Sequence, residues 1–315
     1  MQISRQIPQA ETTKLTTVGL IFRLRLFIGC SSVVHRLSES MRFNYMENYI
    51  CKTCGVQYAD SEKPPEECPI CLDPRQYVGW GGQQWTTMDE LKADGYRNDV
   101  RDEEPGLLGI GINPSFTIGQ RALLVQTDSG NVLYDCISLI DDDAIAEIRR
   151  RGGIKYICFS HPHFYDSMVS WSQAFDDATI IIPEADREHV MRPDASIQYW
   201  DGAPYELVPG VTLIQTGGHF EGSAVLHWAD GAEGKGALMV GDTITVVPDR
   251  RFVSFMTSYP NLIPMSAREV TKIVDTVEPY EFDRVYAGWW DRTVMSGGKE
   301  SVRDSARRYI EHISD

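Results

Sequence analysis

Three short apolar runs in this chain each lead into residues that can ligate a metal. Run 154–159 is followed by Ser160, His161, Pro162 and His163. Run 211–215 is followed by Thr216, Gly217, Gly218 and His219, and run 236–239 by Val240, Gly241 and Asp242. Each run reads as a buried strand. His161 and His163, two positions apart at one strand end, can point both imidazoles at a single ion. A fold built on this pattern must bring separated strand ends together, where rigid β-structure holds a metal and loops shape a pocket.

The chain has 315 residues, enough for one large domain and a small one, with no apolar run long enough to span a bilayer. Its formal charge of −15 argues against a nucleic-acid partner, since an acidic surface is repelled by phosphates. Residues 1–45 differ: Arg5, Lys14, Arg23, Arg25, Arg36 and Arg42 against Glu11 and Glu39 give +4, leaving −19 on the remainder. This basic start is either a mitochondrial transit peptide or sequence upstream of a true start at Met41 or Met46. Both readings leave 1–45 outside the fold; the second implies a cytoplasmic protein.

Seven cysteines are present, four of them in two Cys-x-x-Cys pairs, Cys51/Cys54 and Cys68/Cys71, with 13 residues between the pairs. Paired knuckles place four thiolates around one ion, and Gly55 relieves crowding where backbone amides turn toward sulfur. Disulfides are the competing reading, disfavoured by the knuckle spacing and the lack of an evident secretory signal. Residues 49–58 and 65–71 resemble the rubredoxin-like module of rubrerythrins. That resemblance implies either iron for electron transfer or zinc for structure; structural zinc is favoured, since no donor or acceptor site accompanies it. Cys136 and Cys158 lie in apolar runs and read as packing residues.

From about residue 106, strand-like and helix-like stretches alternate. Runs 121–127 and 131–136 form a hairpin across Asp128-Ser129-Gly130. Asp141 to Asp143 opens a helix, and Ser266 with Glu269 forms a capping box before helix 270–277. A late strand is expected over 282–288 and a closing helix over 300–313. Four landmarks in order, Leu133-Tyr134-Asp135, His161-Pro162-His163, Gly218-His219 and Gly241-Asp242, resemble the metallo-β-lactamase superfamily. The resemblance implies an α+β fold, a four-layer αββα sandwich with metal at one edge, and Asp135 supporting the site from behind. The expected organisation is an extension over 1–45, a rubredoxin-like four-cysteine module over 46–78, a linker over 79–106 and the sandwich over 107–315.

The family's H-x-H-x-D-H motif reads here as His161-Pro162-His163-Phe164-Tyr165-Asp166. Tyr165 and Asp166 replace two ligands of a second metal. Trp289 and Trp290 follow Gly288 where a further second-metal histidine is expected. A dinuclear site is therefore not expected. His161, His163 and His219 remain as three ligands, with Asp242 either a fourth ligand or a group that orients water. Such a set suits a catalytic zinc, which lowers the pKa of water to about 7. Asp166 is expected to be either the general base or the N-cap of a helix over 167–175. Tyr165 either donates to a developing oxyanion or, with Trp289 and Trp290, lines an aromatic substrate pocket.

The leading expectation is a mononuclear zinc hydrolase of a small acyl ester, thioester or lactone. The second is a mononuclear iron oxidoreductase using His161, His219 and Asp242, which resembles the persulfide dioxygenase branch; iron at either site belongs to this reading. The third is a non-catalytic member that binds a ligand. The expected partner is a small-molecule substrate, not nucleic acid or membrane, and the sequence does not fix the oligomeric state. The cysteine module is expected either to pack on the main domain or to gate its pocket.

Overall fold

The computed structural model describes residues 46–314. The expected extension over 1–45 lies outside the described residues.

Two sheets dominate the fold. The first has seven strands in sequence order: Arg97–Glu104, Leu107–Asn113, Ala122–Val125, Val132–Tyr134, Tyr156–Cys158, Thr179–Pro183 and Ile197–Trp200. Its first four strands are antiparallel, and the rest continue parallel. The second has six strands, from Tyr205–Val208 through Val211–Gln215, Ala224–Trp228, Ala237–Met239 and Arg284–Tyr286 to Thr293–Val294.

Alternation along the strands sets the layers. Leu123, Val125 and Tyr134 meet Leu213, Leu226 and Met239 in a core between the sheets. Leu108, Ile110, Leu124 and Leu133 face the other way, into a core shared with Ile148 of helix Asp142–Arg150 and Trp171 of helix Met168–Ala174. Beyond the second sheet, Val225, Leu238 and Val285 pack against Val270 and Ile273 of helix Ala267–Val277 and Val302 of helix Gly298–Ser314. The result is a four-layer αββα sandwich. No helix among the described residues is long and apolar enough to cross a membrane.

The caps follow local chemistry. Asp141 accepts from the Ala144 amide at 2.8 Å. Ser266 accepts from the Glu269 amide at 3.3 Å, but the Glu269 carboxylate pairs with Arg268, so the expected box forms only by half.

The expected linker over 79–106 is corrected. It contains helix Met88–Ala93 and the outermost strand of the first sheet, Arg97–Glu104. That strand reads Arg-Asn-Asp-Val-Arg-Asp-Glu-Glu, and its charges hide the alternation a core strand would show. An edge strand pairs on one side only, and charge there discourages pairing with other chains. The cysteine module adds its own two-stranded ribbon, Ile50–Cys51 with Trp85–Thr86, and belongs to the same compact unit as the sandwich.

Candidate metal centres and the cavity they face

His161 follows strand Tyr156–Cys158 in extended conformation, and the single turn Pro162–Phe164 brings His163 back beside it. His219 arrives on the loop after Val211–Gln215, and Asp242 on the loop after Ala237–Met239. Their ligand atoms all lie within 4.8 Å of one another. Asp242 Oδ2 is 3.4 Å from His161 Nε2 and 3.9 Å from His219 Nε2. Gly241 makes this approach feasible: its φ is +52°, and a Cβ there would stand 2.3 Å from Ser160 Oγ.

Hydrogen bonds fix which imidazole nitrogens face inward. Ser160 Oγ donates to Asp135 Oδ1 at 2.8 Å, and the Ser160 amide donates to the same oxygen at 2.6 Å. His161 Nδ1, 2.9 Å from Ser160 Oγ, is then left to donate to it. His219 Nδ1 donates to the Met256 carbonyl at 3.1 Å. Both rings therefore present an Nε2 lone pair to the cluster. The remaining atoms there, Nε2 of His161, His163 and His219 and Oδ1 of Asp242, are buried without a hydrogen-bond partner. Burial lowers the His161 imidazole to about 3, His219 to about 4, and His163 well below its ordinary value, so all three are neutral at pH 7. Burial raises Asp242 to about 6, opposed by His219. Buried polar atoms are rarely left unpaired, and four convergent donors fit one divalent cation.

The second cluster is the cysteine knuckle. Cys51 Sγ lies 3.5 Å from Cys71 Sγ, and Cys54 Sγ 3.7 Å from Cys68 Sγ. Thiolates around a tetrahedral zinc stand about 3.8 Å apart, given zinc–sulfur bonds of about 2.3 Å. All four cysteines are free and buried, so the disulfide alternative does not hold. Tyr58 Oη and Gln83 Nε2 donate to Cys68 and Cys51, each at 3.0 Å, as partners of metal-bound thiolates do. Among the described residues, these two clusters are the only groups of three or more converging His, Cys, Asp or Glu ligand atoms.

Asp166 is corrected on both of its expected roles. It neither lines the cavity nor caps the helix; Ser167 takes the N-cap position. Its φ of +40° turns the carboxylate toward the knuckle, where it accepts from Ser138 Oγ and, at 2.9 Å, from Gln120 Nε2. Its carbonyl accepts from the Gln57 amide at 3.0 Å. Gly55 makes room: a Cβ at that residue would stand 2.1 Å from Asp166 Oδ1. Burial raises this carboxyl to about 8, against the two hydrogen bonds. Asp166 is therefore an anchor for the knuckle. Asp166→Ala is expected to lower the melting temperature by about 4–8 °C, because Ser138 and Gln120 lose a buried partner. The pH–rate profile should keep its shape; loss of its acidic limb without a fall in melting temperature would restore the general-base reading.

Tyr165 is also buried away from the cavity, its ring edge-on to Phe159 at 4.9 Å, so it cannot donate to an oxyanion there. Trp289 does line the cavity and donates from Nε1 to the Ile118 carbonyl at 2.9 Å. Trp290 does not. It lies over Gly109 and Gly111 of the first sheet, where a Cβ at either would collide with it, and the Arg101 guanidinium covers its ring at 4.2 Å.

The cavity measures about 480 Å³ and reaches His163, His219 and Asp242. Its walls are largely apolar, from Ile118, Val246, Val247, Met256, Leu262 and Trp289. Sequence reasoning missed two wall residues, Arg75 and Gln76, which lie just past the knuckle. Arg75 stacks on Phe220 at 3.7 Å and donates to the His219 carbonyl at 3.2 Å, with its remaining donors on Asp73. Ser258 Oγ donates to the Arg75 carbonyl at 3.1 Å, and Asn261 Nδ2 to the Gln76 carbonyl at 3.0 Å. The only available signal was proximity to Cys71, and that says nothing about which loop the tail meets. The module thus does more than pack: its tail forms one wall of the cavity.

No family model matches the chain. Among solved structures, TMB-1 superposes over 69% of this chain and 99% of its own, with a TM-score of 0.53 and 14% identity. VMB-1 does so over 69% and 98%, with a TM-score of 0.51 and 12% identity. The metallo-β-lactamase SMB-1 matches over 66% and 92%, with 20% identity and a TM-score of 0.45. These likenesses concern the fold, which is that of the metallo-β-lactamases. In sequence, the uncharacterized protein YmaE of Bacillus subtilis (strain 168) is 46% identical over 270 residues, covering 85% of this chain and 98% of YmaE. The chain belongs to the family of YmaE, with a metallo-β-lactamase fold and a four-cysteine module docked on it.

Proposed function

We propose that this protein is a metal-dependent hydrolase of a small, largely apolar acyl ester, thioester or lactone, with one zinc held by His161, His163, His219 and Asp242. The observation that supports this best is the set of four buried donor atoms, unpartnered and convergent, three of which belong to residues that line the cavity. A zinc ion in such a set supplies a Lewis acid and a water acidified toward pKa 7. The chain's own groups do the rest. Asp135, through Ser160, holds the His161 ring; the Met256 carbonyl holds that of His219. With Asp166 facing the knuckle, Asp242 is the one carboxylate among the cavity-lining residues; one of its oxygens would ligate the ion, and the other would accept a hydrogen bond from a bound water and orient it. Trp289, Met256 and Leu262 seat the acyl portion and exclude bulk water. The knuckle holds a second zinc with a structural role.

Metal removal tests this reading. Protein treated with chelator should lose hydrolysis of phenyl acetate and δ-valerolactone. One equivalent of zinc beyond that held by the cysteines should restore it. Hydrolysis that persists without metal would overturn the proposal. So would purified protein carrying iron at the histidine site and consuming dioxygen.

A further inference from the structure

Two arginines line the cavity, and they differ in what their guanidinium groups already hold. Arg75 is fully engaged: Nε and one terminal nitrogen donate to the two oxygens of Asp73, each at 2.6 Å, and the other donates to the His219 carbonyl at 3.2 Å. Arg292 is half-buried, and its side chain makes no hydrogen bond, ion pair or ring contact with any described residue. Every other described arginine has such a partner except Arg250, which is exposed. The backbone of Arg292 is fixed all the same. Its amide donates to the Trp289 carbonyl at 3.3 Å and its carbonyl accepts from the Ala287 amide at 3.0 Å, in the turn between strands Arg284–Tyr286 and Thr293–Val294. The neighbouring acid, Asp291, acts on Arg101 and Arg121 instead. Water solvates an unpaired arginine on an open surface; in a wall shared with Val246, Val247 and Trp289 the charge has less of that support.

We propose that Arg292 is a ligand-binding residue that receives the carboxylate of an otherwise apolar small molecule. A planar guanidinium offers two parallel N–H donors that match the two oxygens of a carboxylate, and the pair strengthens where apolar walls hold water away. One guanidinium balances one negative charge; a phosphate dianion would leave a charge uncompensated in a chain already at −15. The charge of Arg75 acts on His161, His163 and His219, whereas Arg292 is not among the charges acting on His161 or Asp242. The anion would therefore sit apart from the metal donors. The hydrolase substrate would then carry a carboxylate away from the acyl carbon that is attacked. This last step rests on the hydrolase reading; the binding preference does not.

The test uses two non-hydrolysable probes of equal shape, hexanoate and 1-nitropentane, which differ in charge. Ligand-observed NMR titration of the zinc-loaded protein at pH 7 should show hexanoate binding at least about 10-fold more tightly. Arg292→Gln should weaken hexanoate by about the same factor and leave 1-nitropentane within about 2-fold. Arg292→Lys, which keeps the charge but not the fork, should fall between. Both variants should hold as much zinc as the unaltered protein and melt within about 2 °C of it, because the guanidinium has no partner to lose. Equal binding of the two probes by the unaltered protein, or no binding of hexanoate, overturns the proposal. So does a preference that survives in Arg292→Gln, which would put the carboxylate on the metal, or a clear fall in melting temperature in both variants, which would mark Arg292 as structural. Carboxylate binding through Arg292 in a protein that hydrolyses no ester would leave this inference standing and remove the hydrolase reading.

Discussion

His161→Ala should reduce ester and lactone hydrolysis by about 10³-fold, with the loss in kcat rather than KM. His161 sits at the centre of the cluster. Its ring lies 5.0 Å from that of His163 and 4.7 Å from that of His219, and its Nε2 is the nitrogen nearer to Asp242 Oδ2. Three donors would remain, but the Asp135–Ser160 pair would lose the ring it orients. Metal analysis should show the histidine site emptied and the cysteine site still filled. A second readout comes from melting. In the unaltered protein, added zinc would pair four buried, unpartnered donors and should raise the melting temperature as binding to the native state requires. In His161→Ala that zinc-dependent rise should shrink to the part contributed by the knuckle. Unchanged turnover with a full complement of metal would sink the proposed mechanism.

The convergence of His161, His163, His219 and Asp242 was legible because each follows an apolar run. In a sandwich the ends of such strands gather at one edge, so strand context and ligand chemistry point to the same place. The knuckle was legible for a similar reason, since Cys-x-x-Cys spacing leaves the backbone few alternatives. Asp166 was not legible. Whether a residue three positions past His163 faces the cavity or the opposite side depends on one backbone angle, here φ +40° after a single 3₁₀ turn. Trp289 and Trp290 show the same limit: adjacent side chains diverge, one into the cavity and one onto Gly109 and Gly111. The strand Arg97–Glu104 was hidden by the charges that protect a sheet edge. Arg75 and Gln76 depend on the docking of one module against another, a contact that no local pattern encodes.

Cys68→Ala should have the largest effect on stability, lowering the melting temperature by roughly 10 °C. The four cysteines, Val56, Tyr58 and Ile70 pack into the core shared with Met168, Val169 and Trp171, so loss of the knuckle's ion would disturb the main domain as well. Removal of Cys68 takes one of four ligands and leaves the Tyr58 hydroxyl without its acceptor. The damage should travel along the tail from Cys71 to Arg75, whose guanidinium stacks on Phe220 and holds the His219 carbonyl. Phe220 in turn lies 5.7 Å from the His161 ring and 5.0 Å from that of His163, centroid to centroid. Loosening the knuckle should therefore raise KM through the lost cavity wall and weaken zinc affinity at the histidine site. Limited proteolysis gives the local readout: cleavage should appear in the exposed stretch 59–67, which the intact knuckle holds in place. A Cys68→Ala protein that lacks the knuckle metal yet melts, resists protease and binds substrate as before would show the module to be an independent appendage rather than a wall of the active cavity.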